Sequence, residues 1–162
     1  MADTLQPILV VDDYPDGRQL LAEYLQFRGF HVVTAKSGRD AVQTALRIQP
    51  VAILMDLRMP DMDGWEATRH LRKLEETRDV MIVAVTAAAL NDEVRSALDA
   101  GCDAVVAKPY DLLAFGDALA TALADGVEAF AAIGATVQPA SRSRRASAPR
   151  GSRAKAARAA QA

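Results

Sequence analysis

Five short apolar runs, each followed by a stretch of helical periodicity, dominate this chain of 162 residues. The runs lie at 8–12, 30–34, 51–56, 80–86 and 104–107. Runs this short and rich in Val and Ile read as strands, and the one at 80–86 is apolar without alternation, as burial on both faces requires. The first helix runs from Pro15 to Arg28, with Leu20, Leu21, Tyr24 and Leu25 as its apolar stripe, and stops at Gly29. Ser37 caps the second, with Asp40 three positions on in the manner of a capping box, and Ala41, Val42, Ala45 and Leu46 face the sheet. The third starts at Asp63 or Gly64 and carries Trp65, Thr68, Leu71 and Leu74. The fourth covers 91–100 and ends at Gly101; the fifth follows Pro109, uses Leu112, Leu113, Leu119 and Leu123, and ends or kinks at Gly126. Five such units with short links fold as α/β, with a parallel sheet between two layers of helices.

The strand ends carry the chemistry. The first strand runs into Asp12-Asp13, the third into Asp56, the fourth into Thr86 and the fifth into Lys108-Pro109. A carboxylate at the tip of a buried strand is costly unless something uses it. In an open parallel sheet, ligands bind at the C-terminal strand edge where the strand order reverses. One order makes all these groups converge: 2-1-3-4-5. It sets Asp12 and Asp13 beside Asp56, flanks them with Thr86 and Lys108, and leaves the partly polar second strand at the edge. The expected fold is therefore a flavodoxin-like, doubly wound, five-stranded parallel sheet with helices on both faces.

Three clustered carboxylates repel one another and call for a cation. The candidate ligands are all oxygens, which suits a hard ion, and Mg²⁺ fits best. Magnesium held by one or two carboxylates is typically completed by a phosphate. Lys108 would give that phosphate a point positive charge and Thr86 a hydrogen bond. Asp56, centrally placed, is the candidate nucleophile, since aspartyl phosphate is an established type of covalent intermediate. Asp61 and Asp63, in the same loop, read as turn and cap residues.

Taken together, Asp12-Asp13, Asp56 with Met59-Pro60 and Asp63-Gly64, Thr86-Ala87 and Lys108-Pro109 resemble the receiver domain of bacterial two-component response regulators. The likeness spans residues 6–125. It implies Asp56 as phosphoacceptor, taking the group from a histidine kinase or histidine phosphotransfer protein. It implies Asp13, Asp56 and the backbone carbonyl of Arg58 as direct Mg²⁺ ligands, with Asp12 acting through water. It also implies that Thr86 and Lys108 report phosphorylation to a downstream protein through the face of the fourth helix, fifth strand and fifth helix. One departure stands out. Where the family usually has Tyr or Phe, three residues before the lysine, this chain has Val105, which offers no ring to swing inward. Arg58 and Ala88, each two residues past a pocket residue, are expected to border the path of an attacking water.

The charge is unevenly spread. Residues 1–133 hold 12 Lys/Arg against 21 Asp/Glu, a net of −9, whereas 134–162 hold seven Lys/Arg and no acid. The expected organisation is a receiver domain over 1–126, a helix extension or linker over 127–133, and a disordered basic tail rich in Ala, Arg and Ser over 134–162. An acidic domain is no nucleic-acid platform, so the alternative function, a minimal DNA-associated regulator, rests on the tail as a non-specific arm. A third reading, a dehalogenase-type phosphatase, expects Asp-x-Asp at the first strand, and here the two aspartates are adjacent. The chain is thus expected to act alone, on its own Asp56 rather than as a turnover enzyme. The single cysteine, Cys102, excludes an intramolecular disulfide and reads as packing beside Gly101. With no signal peptide and no membrane-spanning run, a cytoplasmic location is expected. His31 and His70 read as surface residues, and Trp65 as packing.

Overall fold

The computed structural model describes residues 6–87 and 89–138. The parallel strands are β1 (Ile8–Val11), β2 (Val32–Ala35), β3 (Ala52–Met55), β4 (Met81–Thr86) and β5 (Ala104–Ala107). They alternate with α1 (Pro15–Phe27), α2 (Gly38–Ile48), α3 (Gly64–Lys73), α4 (Asn91–Ala100) and α5 (Leu112–Asp125). The sheet order is 2-1-3-4-5, as expected, and a sixth strand continues it. That strand, β6 (Thr136–Val137), runs antiparallel to β5 and pairs Val137 with Ala104 and Thr136 with Val105. A 3-10 helix, Val127–Ile133, leads into it.

Alternation along each strand sorts the core into two layers. Ile8, Val10, Leu54, Val83 and Val106 face Leu21, Leu25, Phe115 and Leu119 of α1 and α5. Leu9, Val11, Ile53, Ile82 and Val105 face Ala41, Ala67, Leu71 and Ala97 of α2, α3 and α4. The helix ends follow the local chemistry. Ser37 accepts the Asp40 amide, Asp63 the Glu66 amide and Asp111 the Ala114 amide. The Asp40 carboxylate reaches back to the Lys36 amide rather than to Ser37, so the expected capping box closes one residue early. Asp61 sits in the left-handed region at φ 64°, consistent with a turn role.

Three expectations are corrected. The sheet has six strands, because residues 134–138 belong to the folded body. They do not form the start of a disordered tail; only 139–162 of that segment lie outside the described residues. The 127–133 segment, expected as a helix extension or linker, is a 3-10 helix with Phe130 fully buried. Leu20 and Leu113 point outward, at 58% and 64% exposure, because Leu21 and Leu112 beside them take the inward positions. Cys102 is buried beside Thr68 and is held by packing.

Candidate functional site: an acidic edge closed by a lysine

Backbone geometry builds the site before any side chain does. The Asp56 amide donates to the Val11 carbonyl (2.9 Å), locking the tip of β3 to that of β1. The Lys108 amide donates to the Thr86 carbonyl (2.9 Å) and does the same for β5 and β4. Gly64 packs so tightly under the β3 loop that a Cβ there would collide with the Asp56 carbonyl. Glycine at this position therefore allows α3 to start directly beneath the candidate nucleophile.

The side chains converge as the strand order demands. Asp12, Asp13 and Asp56 each present an oxygen, and the three oxygens lie within 4.8 Å of one another. Asp12 is buried, Asp56 half-buried and Asp13 exposed. Lys108 Nζ sits 3.2 Å from Asp12 Oδ2 and 4.0 Å from Asp56 Oδ2. The Tyr14 amide donates to Asp12 Oδ1 (2.9 Å), and Arg18 donates to the Asp12 carbonyl (2.7 Å). Thr86 is fully buried at the end of β4, in register with Ala107, the residue before Lys108. Burial pushes the Asp56 carboxyl up to about 6; Lys108 works against that shift and Asp12 adds to it. An oxygen-only cluster crowded by like charge fits a hard divalent cation, which would hold Asp56 ionised.

The scan against family models matches residues 8–120 to the response regulator receiver domain. The chain belongs to that family. It is 40% identical over 113 residues to the sensor histidine kinase RcsC of Salmonella typhi, a match covering 70% of this chain and 12% of the kinase. It is 29% identical over 118 residues to the polar-differentiation response regulator DivK of Brucella ovis, covering 73% of this chain and 96% of that protein. Among solved structures it resembles the receiver domain of a sensor histidine kinase from Pseudomonas aeruginosa PAO1, which has a magnesium ion coordinated in its active site cleft. That likeness has a TM-score of 0.66 and 38% identity, and covers 70% of this chain and 93% of the other. Chemotaxis protein CheY4 of Vibrio cholerae gives a TM-score of 0.68 at 26% identity, covering 72% and 97%. The chain thus spans only an eighth of the kinases it matches but nearly the whole of DivK.

Some neighbours of the receiver site were not foreseen. The Arg58 guanidinium pairs with Glu93 at the start of α4, and Trp65 Nε1 donates to the Glu93 carbonyl (3.3 Å). Arg58, expected to border the path of an attacking water, here ties the β3 loop to α4. Ala88, its supposed companion, lies outside the described residues. Tyr110, two residues past Lys108, lines a groove of about 410 Å³ together with Asp12, Tyr14, Leu20, Leu112 and Lys108. Burial, with Asp12 nearby, pushes its phenol up to about 12, so it stays neutral. No periodicity marks the roles of Tyr110 and Glu93, because each meets residues distant in the sequence.

Proposed function

We propose that this receiver domain accepts a phosphoryl group from a phosphohistidine onto Asp56, in two-component signalling. The single observation that carries this is the juxtaposition of Asp56 with Asp12, Asp13 and Lys108 at one strand edge. An Asp56 oxygen attacks phosphorus in line with the departing imidazole. The P–N bond breaks, its electron pair stays on the histidine nitrogen, and an acyl phosphate forms. Lys108 lies close enough to shift from Asp12 towards the new phosphoryl oxygens and neutralise their charge. Thr86, buried at the adjoining strand tip, would donate its hydroxyl to another of those oxygens. Asp13, Asp56 and the Arg58 carbonyl would hold Mg²⁺, with Asp12 reaching it through water, and the ion would supply charge neutralisation. Water attack on phosphorus later releases inorganic phosphate and restores the carboxylate, so the domain acts on itself rather than turning over a separate substrate.

The donor would be a histidine kinase or a histidine phosphotransfer protein. The likeness to a kinase-borne receiver with magnesium in its cleft supports both the donor and the ion. Such a donor, together with a lone buried thiol, fits the cytoplasm. No described helix is long and apolar enough to cross a membrane. The DNA-arm reading rests on the tail over 134–162, of which 139–162 lie outside the described residues, and finds no support among the relatives above.

Incubation with acetyl phosphate and Mg²⁺ should add one phosphoryl group that is labile to acid and base. Asp56→Asn should abolish the adduct, and chelation should slow its formation severely. Labelling of Asp56→Asn at the wild-type rate would overturn the assignment.

A further inference from the structure

We propose that residues 127–138 form a strap that occupies the edge of β5 in the unmodified protein and is released when Asp56 is phosphorylated. The inference rests on Asp56 as the phosphoacceptor.

The strap is seated where the sheet would otherwise end. β6 covers Ala104 and Val105 only, and the Gln138 amide donates to the Asp103 carbonyl (2.9 Å). The Gln138 side chain donates to the Leu98 carbonyl of α4 (2.6 Å). A strand edge presents unpaired backbone groups and is a ready template for another strand. Here the chain's own C-terminal segment takes that place, on the very face expected to meet a downstream partner.

The strap is anchored through its 3-10 helix, whose Val127, Phe130 and Ile133 pack on the core, and is lightly held beyond Gly134. Gly126 (φ 124°) and Gly134 (φ 81°) flank the 3-10 helix in conformations that other residues rarely adopt, and so supply two hinges. The anchor is Phe130, whose ring lies 5.5 Å from that of Phe115. The Phe115 ring in turn lies 4.8 Å from Tyr110. Tyr110 is two residues from Lys108, so a continuous aromatic stack runs from the site loop to the strap. A second connection runs along β5 itself, from Lys108 back to the residues that β6 covers.

A phosphoryl group on Asp56 draws Lys108 away from Asp12 and towards β3. That movement carries the 108–110 loop, displaces the Tyr110 ring, and disturbs the seat of Phe130 through Phe115. Interiors are close-packed, so a displaced ring cannot be absorbed without some neighbour giving way. The end of the strap beyond Gly134, held to β5 by a two-residue ladder, yields first. This route does not need an aromatic at position 105. Val105 faces the opposite layer of the core and is itself one of the residues the strap covers.

The test is amide hydrogen exchange by NMR on the full chain, with and without Mg²⁺ and beryllofluoride as the phosphoryl mimic. Shifts at Asp13 and Thr86 report loading of the site. Exchange at Val137 and Gln138 reports the strap and is expected to quicken at least tenfold on loading. A labelled synthetic peptide of residues 127–138 should bind the loaded protein and not the unloaded one. Phe115→Leu, which keeps an apolar side chain but breaks the stack, should load normally while strap exchange responds several-fold less. Gln138→Ala loosens the strap without touching the core. By linkage it should raise beryllofluoride affinity by the factor by which it frees the strap, a few-fold. Loading with unchanged strap exchange and no peptide binding would overturn the coupling alone. No shift at Asp13 or Thr86 would overturn the phosphoacceptor reading, and the coupling with it.

Discussion

The two ends of β5 are held by opposite kinds of force. At its C-terminal end, Lys108 stands among three carboxylates, and the local structure depends on how charge is balanced. At its N-terminal end, Ala104 and Val105 lie under a short antiparallel strand whose anchor is a buried phenylalanine. Charge can be rebalanced by an ion, a proton or a phosphoryl group. Packing answers only to volume. One strand thus joins a responsive end to an inert one, and a change at the first reaches the second as displacement rather than as field.

The largest expected effect breaks the inert end. Phe130→Ala removes a fully buried ring and should destabilise the protein by about 3–5 kcal/mol in urea denaturation. Acetyl phosphate labelling of the folded fraction should persist, because no charged group is touched. A loss below about 1 kcal/mol would show that the strap lets go before the rest unfolds and is not part of the cooperative core.

That the charged end was legible in the sequence and the strap was not has a physical cause. Asp12, Asp56, Thr86 and Lys108 announce themselves because polar residues at the ends of apolar runs violate the usual rule of burial. The strand order followed from requiring those groups to converge at one strand edge. Residues 127–138 violate nothing. Four scattered β-branched residues and one phenylalanine among alanines carry no period, and a two-residue ladder is too short to leave an alternating pattern. Phe130 was the available signal, a large apolar residue in a segment otherwise read as linker. Leu20 and Leu113 misled for the converse reason. Adjacent leucines on a helix cannot all face inward, and the sequence does not say which one turns out.

A smaller effect sharpens the charged end. In the metal-free protein the Asp56 carboxyl titrates near 6 when folded, against an ordinary value of 3.8. The folded state therefore holds a proton that the unfolded state has already lost between those values, and stability falls as pH rises from about 4 to 6. Asp56→Asn removes that slope. It should stabilise the metal-free protein at pH 7 by about 1–2 kcal/mol, after discounting for partial exposure. Below pH 4 the gain should vanish. Urea denaturation in EDTA across this range checks the sign, and added Mg²⁺ should favour wild type because the ion binds the charged form. A gain that persists unchanged at pH 3.5 would place its origin in packing rather than in charge.

The smallest effect on stability concerns the tie between these two worlds on the α4 side. Arg58 is 65% exposed and its partner Glu93 only 21%, so the pair is largely screened. Arg58→Ala should cost less than about 1 kcal/mol. Its kinetic consequence should be larger. Arg58 follows Asp56 by two residues, and Glu93 also accepts the Leu90 amide at the N-terminus of α4 (3.4 Å) while its carbonyl receives the Trp65 indole. Removing the guanidinium frees the α4 start from the β3 loop and opens one side of the acyl phosphate to water. Decay of phosphorylated protein should quicken a few-fold, and Glu93→Gln should reproduce most of that change because it breaks the same pair from the other side. Equal lifetimes for wild type and both variants would mean that α4 is held by Trp65 and its own cap alone. A change in Arg58→Ala without one in Glu93→Gln would mean that Arg58 acts on the phosphoryl group directly, despite its ion pair in the unmodified protein.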